Sequence, residues 1–131
     1  TTTALQTFLL AIVLYPGIQA CAHVEIDQVM RHDKMPCPDD RVSLPYLDAI
    51  LCKVLRWYPL APLGIPHATS NDDVYGGYFI PKGSNSYNLR ALSWDEDMYP
   101  NASCFNPSHH LTVDGKLRDP FVHHCAFGHG R

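Results

Sequence analysis

The side chains best suited to chemistry crowd one end of the chain: His123, His124, Cys125 and His129 fall close together in a sequence that holds eight histidines. Imidazole together with thiolate is the donor set that zinc, nickel or copper prefers. The spacing argues against a built site, because adjacent histidines in a strand point to opposite faces and nothing in the pattern fixes a tetrahedral geometry. A non-catalytic, metal-binding domain is therefore kept as the alternative reading, with adventitious capture favoured over a physiological site. Lys53 and Arg56 form a second group. They are cations at positions i and i+3, which repel rather than pair on a shared helix face. Taken alone, His67 in Gly64-Ile65-Pro66-His67 is a partly buried strand histidine, and Thr1, Thr2 and Thr3 are ordinary capping residues at a helix N-terminus.

Helices must carry most of these residues. Thr7 to Tyr15 is apolar enough for a buried helix end, and Pro16 suits the first turn of a second helix that runs to about Met30. Ile18, Ala22, Ile26 and Val29 fall at helical spacing and predict its core face. His32 to Arg41, with Pro36, Pro38 and adjacent aspartates, predicts a loop. Ser43 is the expected N-cap of a third helix with Pro45 just inside it and Pro59 at its end; Leu47, Ile50, Leu51, Val54 and Leu55 form its apolar stripe. Beyond Pro59, prolines and glycines recur too often for long helices. No repeat, low-complexity tract or domain boundary interrupts the chain.

Composition narrows the function classes. The sequence has 131 residues, enough for one domain that buries about two thirds of its unfolded surface. Its formal charge of -3 provides no basic patch, which excludes nucleic acid as a natural partner. The longest apolar run, Phe8 to Tyr15, is far shorter than the roughly 20 residues a spanning helix needs, so no membrane span is expected within this chain. Five cysteines, Cys21, Cys37, Cys52, Cys104 and Cys125, lack paired spacing and are expected to be reduced and mostly buried. Asn101-Ala102-Ser103 matches the glycosylation acceptor triplet, a pattern too common by chance to carry weight.

Several segments together resemble one family. Phe127-Gly128-His129-Gly130-Arg131 is similar to the start of F-x-x-G-x-R-x-C-x-G, the haem loop of the cytochromes P-450, which are haem-thiolate monooxygenases. Phe127 and Gly130 match, and Arg131 fills the variable slot. Ser43 to His67 resembles the family's K helix and the strand after it, Tyr75 to Gly83 the following hairpin, and Thr1 to Met30 the end of the I helix and the J helix. Tyr99-Pro100 and Phe105-Asn106-Pro107 resemble the meander before the haem loop. The resemblance implies a mainly α fold with a small β portion, a single partial domain over residues 1–131, truncated at both ends. It also implies a haem iron cofactor, a small apolar organic substrate and a redox-partner reductase, in an intact relative anchored to the endoplasmic reticulum membrane and facing the cytosol.

The same resemblance assigns roles. His67 is expected to contact a haem propionate, Phe127, Gly128, Gly130 and Arg131 to lie at the cofactor, and Ala61, Leu63 and Ile65 to face haem and substrate. Thr1 is a weak proton-relay candidate. Lys53, Arg56 and His109 occupy the positions of a buried ion network, E-x-x-R plus a meander arginine. In this chain the acid has become Lys53 and the arginine His109, so the network is expected to be broken. The axial cysteine would follow Arg131. The expected function is that of a monooxygenase fragment, itself inactive and not retaining haem.

Overall fold

Prolines set the helix boundaries in the computed structural model, which describes residues 2–30, 35–64, 66, 68–84 and 88–118. Helix α1 spans Thr2–Leu14, α2 Pro16–Val29 and α3 Pro45–Trp57; Pro16 and Pro45 each stand in a first helical turn, where a missing N–H costs no hydrogen bond. The break at Tyr15 turns α1 against α2 by 104°. A two-stranded antiparallel hairpin follows, β1 (Asp73–Tyr75) and β2 (Tyr78–Ile80), and then a short helix α4 (Leu89–Ser93). Short 3-10 turns occupy Pro38–Ser43 and Pro107–His110. The fold is mainly α with a small β portion.

The core lies where α1, α2 and α3 meet the segment before the last 3-10 turn. Ala11, Ala22, Ile50, Val54 and Phe105 are buried together, with Phe8, Tyr15, Ile18, Tyr46 and Trp57 packed around them. Phe105 stacks on Tyr15 at 5.6 Å between ring centroids and meets Trp57 edge-on at 5.2 Å. Offset and edge-on aromatic contacts add specificity to area burial.

Several expectations need correction. The apolar end of α1 is not buried: within Thr2–Leu14 only Thr7 and Ala11 are, whereas Leu5, Leu9, Leu10, Val13 and Leu14 are exposed. Its apolar residues encircle the axis, and contact with α2 and α3 covers only one side. On α2, Ala22 is buried but Val29 is exposed. Leu51 of α3 is 44% exposed; it lines an open apolar groove of about 540 Å³ with Leu5, Phe8, Leu44 and Leu47. Of the described cysteines only Cys52 is buried, because Cys21 lies on an exposed face of α2 and Cys104 on an exposed corner. The strand expected after α3 does not form among residues 58–64. Gly64, at φ 75°, closes a turn through its N–H to the Ala61 carbonyl (2.8 Å).

The hairpin turn is explained by Gly76 and Gly77, whose φ values of 59° and 83° suit a two-residue connection that side chains disfavour. The cap of α3 also differs from expectation. Ser43 ends the 3-10 turn, and Leu44 at the N-cap position makes no side-chain bond. Glu25 of α2 supplies the cap instead, its carboxylate accepting the N–H groups of Tyr46 (2.8 Å) and Leu47 (2.9 Å). An acid there satisfies orphan donors and suits the positive end of the helix dipole. Glu25→Ala is expected to cost about 1 kcal/mol in thermal unfolding and to speed amide exchange at Tyr46 and Leu47 first.

Candidate functional site

The buried face of α3 carries charge. Lys53 and Arg56 lie among Ala49, Ile50, Cys52 and Val54, with 0% and 3% of their surfaces exposed. Helical periodicity puts i and i+3 on one side, so the fold that buries Ile50 and Val54 also buries both cations. Removing charge from water is expensive, and each head group must find electron density close by.

Backbone carbonyls provide it. The Lys53 ammonium donates to the Ala102 carbonyl at 3.3 Å. The Arg56 guanidinium donates to the Ser93 carbonyl and, at 3.5 Å, to that of Ala102. It also lies over the Tyr99 ring, 4.0 Å from its centroid, a favourable cation–π position. Arg56 Nε is buried and has no hydrogen-bond partner among the described residues. Burial, followed by the positive charge of Arg56, lowers the Lys53 ammonium from its ordinary 10.5 to about 7, against a smaller upward pull from Cys104. Burial also lowers Arg56, with Tyr99 and Glu96 opposing.

His109 and His110 close the other side. Tyr99 lies 6.2 Å from the first and 6.1 Å from the second, between ring centroids. His110 is buried, and the half-buried His109 keeps an Nδ1 atom without a hydrogen-bond partner among the described residues. Burial lowers the His109 pKa first, and the nearby charges of Lys53, Arg56 and Arg118 lower it further, while Glu96 raises it. The structure therefore gathers Lys53, Arg56 and His109 around Tyr99 and Ala102. The importance of Ala102, Ser93, Tyr99 and Glu96 escaped sequence reading. Two of them act through main-chain carbonyls, which residue type does not reveal.

The remaining candidates are dispersed. Ala61 is half-buried and Leu63 is 73% exposed on the turn after α3. Thr1, Ile65, His67, Phe127, Gly128, Gly130 and Arg131 lie outside the described residues, as do His123, His124, Cys125 and His129. Among the described residues no cluster of histidine, cysteine and acidic side chains could hold a metal ion, and no single helix is long and apolar enough to cross a membrane.

The sequence profile of the cytochrome P-450 family matches residues 1–131. The chain belongs to that family. It is 46% identical over 129 residues to cytochrome P-450 monooxygenase claR of Ampulloclitocybe clavipes, covering 98% of this chain and 24% of that protein. It is equally similar, 46% over 136 residues, to cytochrome P-450 monooxygenase ple1 of Rhodocybe pseudopiperita, covering 100% of this chain and 25% of the other. Cytochrome P-450 monooxygenase 208 of Postia placenta is 41% identical over 132 residues, 100% of this chain and 26% of its own length. The chain thus spans about a quarter of the curated relatives it matches.

Lys53 gives stability a definite pH dependence. Its folded pKa of about 7 lies below the ordinary 10.5, so the fold disfavours the charged form. Below about 7 both folded and unfolded chains carry the proton and the full penalty applies. Between that value and 10.5 the folded chain sheds the proton while the unfolded chain keeps it, so this contribution to stability rises with pH. Lys53→Met is expected to stabilise the chain at pH near 6 by on the order of 2 kcal/mol and to flatten the alkaline rise, read from denaturant unfolding across pH.

Proposed function

We propose that residues 1–131 form a partial cytochrome P-450 domain that supplies the haem-side core of a monooxygenase acting on an apolar organic substrate. The observation that carries this is identity of 46% across nearly the whole chain to monooxygenases about four times as long, with all of the chain inside the family profile. The open apolar groove between α1 and α3, and the uncovered leucines of α1, support a segment that packs within a larger protein.

Haem bound through a cysteine thiolate activates oxygen and allows one oxygen atom to enter the substrate. The described residues fit the edge of such a cofactor rather than its iron. Leu63 offers an exposed apolar side chain beside the half-buried Ala61, suited to a porphyrin or substrate surface. The described cysteines are not in the family's haem-loop pattern, so no axial ligand is assigned among them. In the proposed assignment Ile65 extends the apolar rim and His67 donates to a propionate, a charge-assisted bond. Phe127, Gly128, Gly130 and Arg131 begin the haem loop, and Thr1 stands next to the proton path. Electrons would come from a reductase.

A polypeptide of residues 1–131 alone, whose cysteines Cys21, Cys37, Cys52, Cys104 and Cys125 all precede Phe127, is proposed to lack the family's thiolate ligand. Titrated with haem, the 131-residue chain is expected to bind weakly and to give no thiolate-type Soret band when reduced under carbon monoxide. Stoichiometric uptake with that band would overturn that proposal. In a longer polypeptide carrying this segment and a cysteine at the ligand position, His67→Ala should weaken haem retention. Unchanged retention would remove His67 from the propionate.

A further inference from the structure

Two buried cations call for negative charge within reach, yet among the described residues neither Lys53 nor Arg56 makes an ion pair. Both end on carbonyls, and both use the same one, that of Ala102. A carboxylate holds that residue from its other side. Glu96 accepts the N–H of Asn101 at 2.7 Å and the N–H of Ala102 at 3.1 Å, one on each oxygen. Asn101 adopts a positive φ of 55°, which asparagine tolerates better than most residues and which lets two successive N–H groups converge on one anion. Ala102 is fully buried, so its main chain is fixed between the acid and the bases.

We propose that Glu96 is the positioning residue of this cluster: it aims the Ala102 carbonyl at Lys53 and Arg56 and supplies the counter-charge that the family places on α3 itself. The acid stands in the turn before the meander, whereas the family's E-x-x-R pattern would put it at position 53. The network is thus rearranged, with a main-chain carbonyl between acid and base in place of a direct pair. Electrostatics agree for Arg56 and His109, whose charged forms Glu96 favours; toward Lys53 it acts through the Ala102 carbonyl that it holds. Among the described residues, the other titratable or charged groups around the cluster are Tyr99 and Cys104 of the meander, His109 and His110 of the last 3-10 turn, and Arg118. The described geometry carries this assignment independently of haem.

The test is a cycle on the 131-residue chain: wild type, Glu96→Gln, Lys53→Met and the double variant. Glutamine keeps the size and one acceptor oxygen and removes the charge. Thermal unfolding gives stability, and NMR titration of the Lys53 side chain gives its protonation midpoint. Glu96→Gln is expected to lower the melting temperature and to move that midpoint down, since the Ala102 carbonyl is held less firmly toward the charged amine. The same substitution should cost clearly less in the Lys53→Met background, because residues in one network couple. Equal losses in both backgrounds with an unmoved midpoint would overturn the proposal, leaving Glu96 as a simple turn cap. Should Glu96→Gln fail to fold, the double variant decides: folding there supports the assignment, and failure there rejects it.

Discussion

Burial of two positive charges on one face of α3 is the constraint around which the rest is arranged. A cation taken out of water must be met by dipoles or anions at close range, and a helix cannot provide them from its own bonded carbonyls. The partners come from segments far along the chain, at Ser93 and Ala102. Satisfying the cations therefore pins α4 and the meander onto α3. Phe105 then follows Ala102 into the aromatic group made with Tyr15 and Trp57. Charge satisfaction and apolar packing are two descriptions of a single joint.

Local grammar was legible in the sequence where one residue decides locally. Pro16 and Pro45 marked helix starts, and Ile50 and Val54 the inward side of α3. The family was legible from several short motifs in the right order, and the profile match over residues 1–131 bears it out. What stayed hidden depends on partners distant in sequence. The α3 cap comes from Glu25 on another helix, so Ser43 attracted attention for a role it does not hold. Leu51 belongs to the apolar stripe by spacing, but it opens on a groove that no described residue fills. Cysteine type suggests burial, and only Cys52 obeys among those described, because Cys21 and Cys104 fall on outward positions.

Lys53 shows how a substitution that looks fatal from pattern alone acquires a partner in three dimensions. Like-charge repulsion with Arg56 is present and depresses the amine. The side chain nevertheless stays fully buried, which a lysine can do with a carbonyl acceptor when its proton is loosely held. Arg56 has fewer options, being charged at any ordinary pH, and it combines two carbonyls with an aromatic face. Neither arrangement needs a carboxylate at position 53, and each leaves polar capacity unused, visible at Arg56 Nε.

Both tryptophans of the chain stand at that joint. The indole N–H of Trp57 donates to the Ser103 carbonyl at 2.7 Å, and that of Trp94 to the carbonyl of Trp57 at 3.1 Å. Helix α1, helix α2 and the hairpin contain none. Intrinsic fluorescence is consequently a regional signal in this protein: undocking of the meander from α3 alters the surroundings of both emitters, whereas opening of the hairpin alone is optically silent in the indole band.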